Sequence, residues 1–203
     1  MRKLLIVMAA LFIVSFTHQQ GGPLTDKEKA DAAKFLAETE DGVLASVQGL
    51  SEAQLKFKAA PDKWGVEECM MHIAASEKLL WANVDKQLKE NANPEKRADI
   101  KMTDDDVKKN IESRANKVKT FAPLEPQNTG FKNLDEAISS FKENRGKLID
   151  YIKGTNADLR NHVVNMGFAS FDSYQMILFI GAHSNRHMQQ INEVKADPNF
   201  PKK

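Results

Sequence analysis

His183 and His187 are the residues whose type and spacing point most directly to chemistry. They stand four apart in SYQMILFIGAHSNRHMQQINEVKADPNFP, residues 173–201, which reads as one long helix, apolar at its start. At that spacing both imidazoles leave the same side of the helix, one turn apart, and can grip one metal ion. Ser184 stands where a zinc-protease motif carries its glutamate and Asn185 follows it, so no carboxylate between the histidines is poised as a base. Taken alone, the pair is equally what two hydrogen-bonded core histidines look like.

His72 is the candidate third ligand. It falls on the buried side of a different helix, beside the small residues Ala74, Ala75 and Ser76, which leave room for a site between helices. Three imidazoles from two helices would leave coordination positions open for water or substrate, the catalytic rather than the structural pattern. Neutral imidazole suits zinc, nickel or iron(II), and affinity order alone does not choose among them. Cys69, three residues before His72, could ligate zinc, but a lone cysteine on an apolar stripe is more often simply buried. Glu68 could orient an imidazole N–H, or could be an acid favoured by a helix N-terminus. Gln190, one turn past His187, and His162, in an irregular segment before the last helix, are further candidates at the site mouth. Arg186 lies off the ligand face and could meet an anionic substrate at an edge.

The elements that must position these residues are helical. Thr25 with Glu28 three places on forms a capping box, and Ala32, Phe35, Leu36, Val43, Val47 and Leu50 then recur at helical spacing. Ser51 to Pro61 is a connector with a short capped turn. From Gly65 a second helix carries Cys69, Ile73, Leu80, Val84 and Leu88 on one stripe, with Glu68, His72, Ala75 and Leu79 on the next. Residues 95–130 look like an insertion: Thr103 and three aspartates start a mostly polar helix running on through VKKNIESRANKVKTF. Another helix places Leu134, Ala137, Ile138, Phe141, Leu148 and Ile152 inward and stops near Gly154. Ser170, Asp172 or Ser173 caps the last. No β-alternation and no tandem repeat appear. The expected fold is all-α, a four-helix bundle with an inserted smaller helix.

Residues 1–20 read as a signal peptide: Arg2 and Lys3, an apolar run from Leu4 to Phe16, then polar residues. The run is short for a membrane span, so the domain, residues 21–203, is expected to be exported, periplasmic or secreted, with no stable span. Removing them lowers Lys plus Arg from 29 to 27 against 28 Asp plus Glu, leaving a net charge near −1. Such a chain has no electrostatic footprint for nucleic acid. The single cysteine excludes an intrachain disulfide, so stability must come from the core or from a metal. A homodimer is compatible with the sequence.

PDKWGVEECMMHIAASEKLLW, followed much later by IGAHSNRHMQQINEVKADPNFP, resembles the DinB-like superfamily. The shared features are Trp64 eight residues before His72, and the late His183 and His187 followed by Gln190 and Ile191. The resemblance spans roughly residues 25–201. It implies a four-helix bundle holding a divalent metal on His72, His183 and His187. In members of known activity the metal activates a thiol or water, in S-transferases, isomerases and hydrolases. An exported protein lacks a steady supply of cytoplasmic thiols, which favours hydrolysis over S-transfer. The alternative is a non-catalytic, metal-stabilised bundle that captures a ligand or partner, in keeping with a stress role. The 95–130 insertion is longer than the compact family pattern.

Overall fold

A computed structural model describes residues 21–202; the expected signal peptide, residues 1–20, lies outside the described residues. Four long helices make the bundle: α1 (Asp26–Val47), α3 (Val66–Leu88), α5 (Leu134–Gly154) and α6 (Ser173–Lys195). Two shorter ones, α2 (Glu52–Lys56) and α4 (Asp104–Glu112), sit in the connections. Among the described residues, no helix is long and apolar enough to cross a membrane.

The caps explain where the helices begin. The Thr25 hydroxyl accepts from the Glu28 N–H at 3.2 Å, and the Glu28 carboxylate accepts from the Thr25 N–H at 2.7 Å. Asp172 caps α6 by accepting from the Gln175 N–H at 2.8 Å. At the start of α3 a Cβ on Gly65 would stand 2.6 Å from the Phe57 carbonyl oxygen, so only glycine lets the chain enter α3 against that backbone. Gly181 plays the corresponding part between α1 and α6, since a Cβ there would meet the Phe35 ring at 2.8 Å.

The core has two apolar parts along the bundle. One gathers Leu36, Leu80, Val84, Leu148, Ile152, Phe171 and Ile177. The other gathers Val43, Val66, Cys69, Ile73, Phe141 and Ile191. Each such side chain contributes about 1.5–3 kcal/mol by leaving water. The most deeply buried ion pair among the described residues runs between helices. Arg145 donates to Glu77 through Nε at 2.6 Å and Nη2 at 2.7 Å. It also donates to the Leu36 carbonyl and Thr39 hydroxyl at 2.7 Å each, and to Ser184 Oγ at 2.8 Å.

Two local expectations are corrected. The inserted helix α4 ends at Glu112 rather than near Phe121. Beyond it Val118 and Phe121 are 79% and 56% exposed, so the apolar spacing that suggested more helix has nothing to pack on. Although mostly polar, α4 packs firmly: Val107 is fully buried and the helix lies along α6. Finally, residues 163–172 form an antiparallel hairpin, β1 (Val163–Asn165) and β2 (Ser170–Asp172), with Val163 paired to Asp172 and Gly167 turning at φ +84°. Strands of three residues are too short to leave a periodic trace in a sequence.

Removing one half of the buried pair leaves the other charge uncompensated. Glu77→Ala should lower unfolding free energy by about 3–5 kcal/mol in denaturant titrations, far more than an exposed pair such as Lys56–Glu52.

Candidate metal centre

His72 sits two turns into α3, and His183 and His187 sit at and just past the middle of α6, where these helices pack together. Each ring offers one nitrogen, and the three nitrogens lie within 4.8 Å of one another. Ring centroids are 5.2 Å apart for His72 and His183, 4.4 Å for His72 and His187, and 4.6 Å for His183 and His187. His72 and His187 are buried and His183 is half-buried. Trp64 walls one side, its ring 4.8 Å from that of His72 and 6.1 Å from that of His187. Phe179 stacks on His183 at 6.1 Å.

The hydrogen bonds settle which nitrogens face inward. His72 Nδ1 lies 2.8 Å from the Leu124 carbonyl oxygen, which can only accept, so Nδ1 carries the proton and Nε2 is bare. Ser76 Oγ stands 3.4 Å from that bare Nε2. His187 Nδ1 lies 3.0 Å from Gln190 Oε1, and the same oxygen receives Arg114 Nη1 at 3.3 Å. A guanidinium has only donors, so the Gln190 atom facing it is the oxygen, and His187 must donate from Nδ1. Its Nε2 is bare as well. Metal-binding histidines are typically held this way, with the outer N–H on a carbonyl or carboxylate oxygen.

Electrostatics keeps the rings neutral. Burial lowers the pKa of His72, and burial plus the other two imidazoles lowers that of His187 well below 6.5. His183 falls to about 3, through burial first, then His72 and Arg186. Neutral imidazoles are the form that ligates. Two nitrogens bonded to one ion at about 2.0–2.1 Å stand no more than about 4.2 Å apart, so three nitrogens within 4.8 Å of one another need at most a small inward turn of the rings to share a divalent ion. Among the described residues no cysteine or carboxylate joins the group, which leaves further positions on such an ion for water or substrate.

The remaining candidates separate cleanly. Gln190 is at the cluster, holding His187. Glu68 is not: its carboxylate accepts from the Gly65 N–H at 2.9 Å and from Lys58 at 3.0 Å, capping α3. His162 is also elsewhere. It bonds the Asp158 and Glu90 carbonyl oxygens at 2.7 and 3.2 Å. Glu90 follows α3, some eighteen residues past His72, so His162 lies roughly 27 Å along the helix from the cluster. Cys69 is buried in the apolar core, where desolvation raises its pKa to about 12 and keeps it an unreactive thiol. Two contributors were missed, the Leu124 carbonyl and Arg114. A backbone carbonyl leaves no signature in side-chain spacing, and Arg114 sits in a stretch that read as a solvated helix.

A four-helix bundle with three inward histidines from two helices, two of them with the outer nitrogen fixed, and among the described residues no carboxylate in the group, defines a metal-binding bundle protein. The particular family follows from comparison: the chain belongs to the DinB superfamily, which matches residues 36–191. It is 26% identical over 151 residues to YuaE, an uncharacterized protein of Bacillus subtilis (strain 168), covering 73% of this chain and 88% of YuaE. Its fold is similar to that of YfiT from Bacillus subtilis, with a TM-score of 0.58 and 14% identity, over 85% of this chain and 88% of the other. YfiT is described as "a probable metal-dependent hydrolase with an unusual four-helix bundle topology".

The depressed histidine pKa values set a pH dependence. Unfolded imidazoles take up protons near 6.5 while the folded ones resist, so the unfolded state binds more protons as pH falls. In metal-free protein this contribution to stability is present above about 6.5 and is lost on the way down toward about 3. Denaturant melts at pH 7 and pH 5 should show a larger loss for the unmodified chain than for His183→Asn. Equal losses would contradict this assignment.

Proposed function

We propose that this protein is an exported metal-dependent enzyme, hydrolytic in type, which binds a divalent ion through His72, His183 and His187. The observation that carries the proposal is the convergence of three neutral imidazoles, two with Nε2 bared toward the cluster by partners on Nδ1. The description of YfiT supports the hydrolytic class by likeness of fold. A bound divalent ion supplies Lewis acidity and activates water near neutral pH. The residues' part is to hold it in a shielded, open-sided place. Trp64 and Phe179 limit solvent at two ring faces, and the Leu124 carbonyl and Gln190 fix ring orientation. Export is supported by the basic start and the apolar run from Leu4 to Phe16. It also argues against thiol transfer, since low-molecular-weight thiols are kept in the cytoplasm. A non-catalytic, metal-stabilised binding bundle has one observation in its favour: among the described residues no carboxylate joins the cluster to act as a base.

Purified protein should retain, or take up, one divalent ion per chain, and His183→Ala should abolish this while keeping most of the helical signal. Gln190→Ala should weaken metal binding by about 10–100-fold, because it frees the His187 ring to turn. Chelator should lower the thermal midpoint of the unmodified chain, since an ion present at about 100 times its dissociation constant adds about 2.7 kcal/mol. A chain that neither holds nor acquires stoichiometric metal would sink the proposal. Metal retention with no turnover of ester, amide or phosphoester panels would favour the binding bundle.

A further inference from the structure

Beside the histidines lies a second, cationic feature. Arg186 follows His183 by three residues on α6, roughly 60° round the helix from it. Such i, i+3 neighbours stand about 5–6 Å apart at Cβ. Arg114 arrives on the same flank from the segment after α4. Its Nε and Nη2 donate to Glu193 at 3.1 and 2.7 Å, and its Nη1 reaches Gln190. Arg186 spends Nη2 on the Asn116 carbonyl oxygen at 2.6 Å and, among the described residues, forms no ion pair. The other carboxylate on this side of α6, Glu112, turns to Asn185 at 2.9 Å, farther round the helix from the ligand stripe. Arg114 thus bonds the residue that holds His187, Arg186 stands between His183 and His187 in the chain of α6, and the nearby carboxylate, Glu193, is paired to Arg114.

We infer that the site takes a small-molecule oxyanion, a carboxylate or phosphate, whose charged group is received by Arg186 with Arg114 behind it. The inference rests on the metal reading of the histidines and narrows its substrate class. With a divalent ion on three neutral imidazoles the region becomes more positive still, and an anion that touches both ion and guanidinium relieves both. Arg186 suits the part because its free donors form a fork that fits a carboxylate or phosphate. Arg114 is already committed to Glu193 and Gln190, so its part is to hold the flank and add charge.

The test uses the full chain loaded with one equivalent of zinc. It is titrated calorimetrically with inorganic phosphate, acetate and neutral acetamide, with metal content measured on the same samples. Phosphate or acetate should bind at least about tenfold tighter than acetamide, and Arg186→Met should erase about tenfold of that preference with metal content unchanged. Arg186→Lys should restore part of it. The phosphate and acetate arms tell which oxyanion the site prefers. A chain that holds no metal overturns the proposed function and this inference with it. Metal held with no preference for anions, or Arg186→Met binding them as the unmodified chain does, overturns this inference alone.

Discussion

The buried Arg145–Glu77 pair is the interaction on which the rest of the structure depends. A guanidinium has five N–H donors, and all five are spent here: two on Glu77, and one each on the Leu36 carbonyl, Thr39 and Ser184. These partners belong to α3, α1 and α6, so a single side chain of α5 ties all four long helices. Taking such a charge out of water costs several kcal/mol unless every donor is met, so slippage that breaks one of these bonds is costly. The metal candidates inherit this registration. Glu77 is five residues past His72 and Ser184 is next to His183. Locking Glu77 and Ser184 to one guanidinium fixes how far α3 and α6 can slide, and with that the meeting of His72 with the α6 pair.

A second charged clamp works at the start of α6. Arg160 is almost wholly buried and reaches Glu28 at 2.7 Å, Asp104 at 2.8 Å and Asp172 at 3.2 Å. Its guanidinium also lies 4.2 Å from the centre of the Tyr174 ring. It thereby joins α1 and α4 to the cap of α6. The two clamps divide the work: one sets the register of the bundle interior, the other anchors the entry of α6 and brings α4 alongside. The segment that follows α4 then runs over the histidine cluster, and its placement there is a consequence of where α4 is held.

Much of this was legible in the sequence because the relevant signals are local. The Thr25–Glu28 box, the helical spacing of Leu36 and Val43, and the four-residue step from His183 to His187 depend on neighbours in the chain, and the structure bears them out. His72 was legible because a histidine on an apolar stripe is unusual enough to notice. Glu77 and Arg145 were not, since an acid in ASEKLL and a base in KENRGKL look like ordinary solvated helix surface. Their burial depends on each other, across 68 positions of chain. His162 misled for the same reason: proximity in sequence to the last helix says nothing about which end of it the side chain joins. Gln190 and Glu68 were symmetrical candidates before the fold was known. Helix geometry separated them, because Glu68 occupies the third position of α3, where the Gly65 N–H claims it.

The carbonyl that holds His72 has an evolutionary consequence. Leu124 acts through its peptide oxygen, which every residue possesses, and not through its side chain. Point substitution at this position alters packing but cannot delete the acceptor. What lineage must preserve is the path of the chain over the site, and a path is robust to drift in letters yet sensitive to insertion or deletion. Relatives could therefore differ freely in residue type at this place while keeping the same tautomer of the histidine beneath, and length variation in the segment, rather than its composition, would be where the centre is gained, retuned or lost.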